Sequence, residues 1–152
     1  MLDMTRTAIS DLETAKKMEA AMVRTSKCSC GECTVEVEGD PVISGLCNCD
    51  DCRRRTGAPF SWSAYFLNDQ VRKVEGPLTT RVVELGPHIR YFCSKCGSTL
   101  FWKSDVVGRA DRTGFAAGCF NDPTLPVPSH IVRYSQRMPW AVFPSEWEIV
   151  QT

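Results

Sequence analysis

The placing of the cysteines constrains this chain most. Eight of the nine fall into three tight clusters, Cys28-Ser29-Cys30-Gly31-Glu32-Cys33, Cys47-Asn48-Cys49-Asp50-Asp51-Cys52 and Cys93-Ser94-Lys95-Cys96-Gly97. Sulfurs one or two residues apart can turn toward a single point, and zinc, which imposes no geometry of its own, accepts four such thiolates as a tetrahedron. The competing uses of so much cysteine are a disulfide scaffold and redox chemistry. The opening segment MLDMTRTAISDLETAKKMEAAM carries Asp3, Asp11, Glu13 and Glu19 and no continuous apolar core of the secretory kind. A reducing, cytoplasmic setting is therefore expected. An odd number of cysteines also pairs poorly into disulfides. Metal ligation is the expected use, and buried, inert thiols are the plainer alternative.

Composition narrows the partners. The 18 Lys+Arg cancel the 18 Asp+Glu, while 43% of the residues are hydrophobic and 24% charged. Such a chain is expected to fold as one soluble domain, and its bulk charge names no partner. It has no net positive field for nucleic acid and no apolar run long enough to span a membrane.

Ser10-Asp11-Leu12-Glu13 matches a capping box, and Ile9, Leu12, Ala15, Met18 and Met22 recur at spacings of three and four. This predicts an amphipathic helix from about Asp11 to Val23, packed on its own domain or on a second copy to make a homodimer. Residues 1–26 are thus read as a helical extension and residues 27–152 as a zinc-binding β domain. From Lys27 onward, short segments of period two are rich in Val, Thr, Phe, Tyr and Trp. Strands are expected over Cys33–Glu38, Ser61–Leu67, Val71–Glu75, Thr79–Leu85, Ile89–Phe92, Thr99–Lys103, Gly114–Cys119 and Glu146–Val150. The fold class is mainly β, as an antiparallel domain. Pro123, Pro126, Pro128, Pro139 and Pro144 make the last third a series of extended segments and turns.

Cys33 alternates with Thr34 and shares a face with Val35 and Val37, which assigns it to the core. Cys28 and Cys30 then complement Cys93 and Cys96. Each pair ends in Cys-Gly, and four thiolates from two tight turns make a closed, structural site. Cys47, Cys49 and Cys52 have no fourth cysteine nearby. Three protein ligands and an open position are the arrangement of catalytic zinc. A closed site completed by Cys119, His88 or His130, or an iron–sulfur cluster, is the alternative.

With those residues in place the sequence resembles the glutathione-dependent formaldehyde-activating enzyme family, which includes centromere protein V. The resemblance runs through Cys28-x-Cys30-Gly31, Cys47-x-Cys49-x-x-Cys52, Arg54, Thr56-Gly57-Ala58-Pro59, Val74-Glu75-Gly76, Phe92-Cys93-x-x-Cys96-Gly97-Ser98, Gly118 to Pro123, His130-Ile131 and Pro139-Trp140. It implies a Mss4-like β fold and two zinc ions per chain: a structural one on Cys28, Cys30, Cys93 and Cys96, and a catalytic one on Cys47, Cys49 and Cys52. It also implies a carbon–sulfur lyase that adds glutathione, or a similar thiol, reversibly to formaldehyde or a related aldehyde. A non-catalytic, zinc-stabilised binding module of the same fold is the alternative, and a redox protein ranks behind both.

The neighbours of the trio admit two readings each. Asp50 and Asp51 put negative charge beside the open metal, which strengthens metal binding and opposes an anionic thiol. In Arg53-Arg54-Arg55, Arg54 and Arg55 either hold substrate carboxylates or form a solvated basic turn. Ser61, Trp62, Tyr65 and Phe66 either wall the site or pack in the core. His130 either carries or orients a proton at the site or is structural. Cys33 and Cys119 are expected only to pack, and nothing in the sequence gives His88 a role.

Overall fold

The computed structural model describes residues 22–84 and 88–150. The smaller of its two sheets is antiparallel and three-stranded, in the order β1 (Val23–Lys27), β2 (Thr34–Glu38) and β5 (Val71–Glu75). The larger is 8-stranded. Its order is β11 (Glu148–Val150), β10 (His130–Val132), β3 (Ile43–Cys47), β4 (Ser61–Leu67), β9 (Arg112–Ala116), β8 (Thr99–Lys103), β7 (His88–Cys93) and β6 (Leu78–Val83). A short helix, α1 (Asp50–Thr56), joins β3 to β4.

Alternation along the strands builds the core. Val35 and Val37 are fully buried while Thr34, Glu36 and Glu38 face outward, and they pack in one cluster with Ala64 and Phe66 of β4, Leu100 and Phe101 of β8, and Phe115 of β9. Phe66 and Phe115 meet edge to face at 5.6 Å. Burying a side chain of this size contributes about 1.5–3 kcal/mol. Cys33 is fully enclosed in the same cluster, as its alternation predicts. Near the start of β1 the buried Arg24 is neutralised by Asp40 at 2.6 Å and by Asp122, and it donates a further hydrogen bond to the Thr124 hydroxyl at 3.0 Å.

Strands β4, β5 and β8 have the expected bounds. The expected amphipathic helix, and the homodimer through it, lie outside the described residues apart from the helix's last residues. There Val23 opens β1 instead, and that strand pairs with β2 across the boundary expected at residue 26, so the β domain takes in Val23 to Ser26. The wholly antiparallel expectation also needs correction, because β10 runs parallel to both β3 and β11. The chain after Gly114 leaves the sheet at Ala116 and closes into a 3-10 turn, Ala117–Phe120, which buries Ala117 and Phe120. Among the described residues no helix is long and apolar enough to cross a membrane.

Candidate metal centres and the adjoining cleft

Two tight turns carry the first cluster. In one, the Cys28 N–H donates to Cys33 O at 3.1 Å and the Gly31 N–H to Cys28 O at 3.0 Å. In the other, the Cys93 N–H donates to Ser98 O at 3.0 Å and the Gly97 N–H to Cys93 O at 2.9 Å. Gly31 and Gly97 have φ of 81° and 77°, backbone that only glycine adopts without strain. The turns bring the sulfurs of Cys28, Cys30, Cys93 and Cys96 within 4.8 Å of one another. Cys28 Sγ is 3.5 Å from Cys30 Sγ, which is 3.7 Å from Cys93 Sγ. Sulfurs held about 2.3 Å from a tetrahedral zinc stand about 3.8 Å apart, so these thiols have the size and chemistry of a four-sulfur metal site.

Backbone and hydroxyl donors surround those sulfurs. The Cys33 N–H donates to Cys28 Sγ at 3.2 Å. Ser98 Oγ lies 3.3 Å from Cys96 Sγ and 3.0 Å from Ser29 Oγ, tying the two turns together. Hydrogen bonds from Ser29 and then Ser98 pull the Cys96 thiol down to about 4. Cys33, pushed up to about 12 by burial, stays a neutral thiol beside the cluster.

The second cluster sits where β3 runs into α1. Cys47 ends the strand, Cys49 caps the helix, and its sulfur accepts from the Cys52 N–H at 3.4 Å. The three sulfurs lie within 4.8 Å of one another, and no His, Asp, Glu or further Cys among the described residues joins them. A hydrogen bond from the Cys47 thiol draws Cys52 down to about 5 and pushes Cys47 itself up. The donor set is soft and fits zinc or a similar thiophilic ion.

Cys47 pairs with Ser61 across β3 and β4, so Cys47, Ser61, Ser63 and Tyr65 share one face. One row of that face runs Tyr65, Gly114, Trp102. A Cβ on Gly114 would stand 2.8 Å from Trp102 Cζ2 and closer still to the indole nitrogen. The missing side chain therefore lets the Trp102 ring lie across the strand to meet Tyr65, centroids 6.0 Å apart. Arg55 of α1 covers the same indole at 5.1 Å.

The charges around the trio are unequally paired. Asp50 binds Arg53 and, at 3.7 Å, Arg54; Asp51 binds Arg90 at 2.7 Å. The acidic pair that the sequence places beside the trio is thus neutralised. Arg54 is 81% exposed on its ion pair, whereas Arg55, half-buried on Trp102, has no carboxylate partner among the described residues. A cleft of about 600 Å³ opens at Cys49, lined by Asp50, Asp51, Arg53, Arg133 and Gln136. Arg133, absent from the expected site, holds a left-handed backbone at φ 55°, a cost of about 1–2 kcal/mol for a residue with a Cβ.

Neither His130 nor Cys119 joins the trio's ligand group. His130 stands opposite Gly45, two positions along β10 from the partner of Cys47. Its ring is taken by Ser129 Oγ at 2.8 Å and Glu148 Oε2 at 3.4 Å. Cys119 bonds Thr99 O at 3.5 Å, consistent with packing alone. Phe66 is in the core, and Trp62 packs against it with its indole N–H on Ser44 Oγ at 3.0 Å.

The family model for the glutathione-dependent formaldehyde-activating enzyme matches residues 23–136, a span that contains both thiol clusters. The chain belongs to that family. Its fold is similar to the crystal structure of a Rhodobacter sphaeroides protein at 22% identity, with a TM-score of 0.52 over 68% of this chain and 97% of that one. No curated protein matches this family member. Family membership accords with metal binding and formaldehyde activation, and the two clusters are where this member could hold its metal ions.

Proposed function

We propose that this protein is a zinc-dependent carbon–sulfur lyase with a Mss4-like β fold. Cys28, Cys30, Cys93 and Cys96 would hold a structural zinc, and Cys47, Cys49 and Cys52 a catalytic one. Three mutually close thiols with no fourth protein donor among the described residues carry this reading. A zinc ion there would supply Lewis acidity and lower the pKa of a thiol taking its remaining position. In the reaction a carbon–sulfur bond forms at the aldehyde carbon as the C=O π bond breaks, and the thiol's proton ends on the carbinol oxygen.

The chain's own residues bind and orient the substrate. Arg55 is the cation placed to hold a carboxylate of a peptide thiol such as glutathione, since Arg53 and Arg54 are tied to Asp50. Trp102 beneath it excludes water from one side of that pairing and fixes the guanidinium's height above the sheet. With Asp50 and Asp51 neutralised by arginines, an incoming thiolate meets no unpaired carboxylate of α1. All nine cysteines are free, in keeping with a reducing, cytoplasmic setting.

Metal counting tests the reading. Wild type should carry two zinc ions per chain and bind glutathione, while Cys49→Ser should keep one zinc and lose thiol binding. A Cys49→Ser variant that binds thiol as wild type does would favour the non-catalytic binding module.

A further inference from the structure

We propose that Ser61 is a positioning residue of the second thiol cluster, its hydroxyl donating a hydrogen bond to a sulfur of the trio when the site is loaded. Among the described residues, the buried side-chain polar atoms without a hydrogen-bond partner are Ser26 Oγ, Asn48 Oδ1 and Ser61 Oγ. Two of these adjoin the trio, since Asn48 lies between Cys47 and Cys49 and Ser61 opposes Cys47 in the β3–β4 register. Ser61 is 2% exposed. Leaving a buried hydroxyl without a partner costs about 1–3 kcal/mol, and an apolar residue on the strand would avoid that cost. The hydroxyl's cross-strand neighbour is the Cys47 side chain. Ser61 shares the face of Cys47, and the sulfurs of Cys47, Cys49 and Cys52 lie within 4.8 Å of one another, so the trio is the acceptor set nearest to this hydroxyl on its face.

Three thiolates carry more negative charge than a divalent ion neutralises. An O–H···S bond to one of them draws charge from that sulfur and fixes its direction, leaving the loaded site more electrophilic and the sulfur less nucleophilic. The backbone already does this for Cys49, through the Cys52 N–H.

This inference rests on the trio being a metal site, and cobalt(II) can test the two ideas separately. Wild type, Ser61→Ala and Ser61→Thr are loaded with cobalt(II), and the metal is counted. The thiolate-to-cobalt absorption is then recorded, and alkylation of Cys47, Cys49 and Cys52 by iodoacetamide is followed site by site by mass spectrometry. With two cobalt ions bound, Ser61→Ala should shift part of the charge-transfer absorption to lower energy and alkylate at one cysteine of the trio about tenfold faster, the loss expected for a hydrogen bond to a charged group. Ser61→Thr, which keeps the hydroxyl, should restore both. A Ser61→Ala protein with two cobalt ions and wild-type absorption and alkylation overturns the role of Ser61 alone. A wild type that binds cobalt only at the first cluster overturns the metal reading and this proposal with it.

Discussion

Gly76 presses on the backbone of the first thiol turn, and replacing it with alanine should unseat that turn. Its φ is 99°, and an added Cβ would stand 2.7 Å from Cys33 Cα, 2.9 Å from the Glu32 carbonyl carbon and closer still to its oxygen. Carbon atoms pack at about 3.5–4.0 Å, so the Glu32–Cys33 backbone must retreat by roughly 0.8 Å or more. That backbone donates to Cys28 Sγ and accepts from the Cys28 N–H, so the retreat moves a ligand. A positive φ costs a residue with a Cβ about 1–2 kcal/mol, and overpacking adds about 1–3 kcal/mol, giving about 2–5 kcal/mol in all. At about 2–4 °C per kcal/mol for a chain of this length, Gly76→Ala should melt roughly 4–20 °C lower. Gly57→Ala is the control. Gly57 has φ of 65° with nothing within 4 Å of the added Cβ, so it should lose only about 1–2 kcal/mol. Calorimetry with metal counting decides. If the two variants melt together with full metal, the proposed contact between Gly76 and the cysteine turn is wrong.

Other expectations follow from the two centres. Cys28→Ser should lose the first metal and much of the fold, because metal affinity in a closed site is folding free energy; far-UV circular dichroism and metal content report this. Arg55→Ala should weaken glutathione binding about tenfold or more, the range for a charged hydrogen bond, while Arg54→Ala should leave it near wild type. Equal effects of the two in titration calorimetry would remove Arg55 from the site. In protein gently chelated to one metal per chain, the rate of Cys52 alkylation should stay level from pH 8 to about 6. It should fall only as the pH approaches about 5, because the depressed pKa keeps the thiolate at pH values far below the ordinary 9.0. A midpoint near 9 would contradict this placing of Cys47 against Cys52.

The site was more legible in the sequence than the sheet that carries it. Cys-x-Cys and Cys-x-x-Cys spacings act within one turn, so local pattern suffices to group the sulfurs, and the alternation of Cys33 with Val35 and Val37 places Cys33 in the core. Strands β3 and β10 escaped the pattern. ISGLC contains Gly45, whose bare backbone lies against His130, and HIV is three residues among prolines. Their parallel pairing depends on the chain returning from far along the sequence, which no local alternation records. Helix α1 did leave a signal. Asp50 and Asp51 open it, three arginines close it and Gly57 stops it in the left-handed region, an order that favours a helix over a basic turn. Arg55 gained its meaning only from tertiary structure, through Trp102 and the gap at Gly114. The pairing of His130 with Glu148 likewise comes from tertiary structure, through a register that sets His130 opposite Gly45 and Glu148.

The central claim is that the second thiol cluster accelerates addition of a thiol to an aldehyde. Exchange between glutathione with carbon-13 formaldehyde and their S-hydroxymethyl adduct, followed by NMR at equilibrium, measures that rate without a coupled assay. Zinc-loaded wild type should speed the exchange well above buffer, and Cys49→Ser with its first zinc retained should return it to the buffer rate. Equal exchange rates for wild type and Cys49→Ser would contradict the claim.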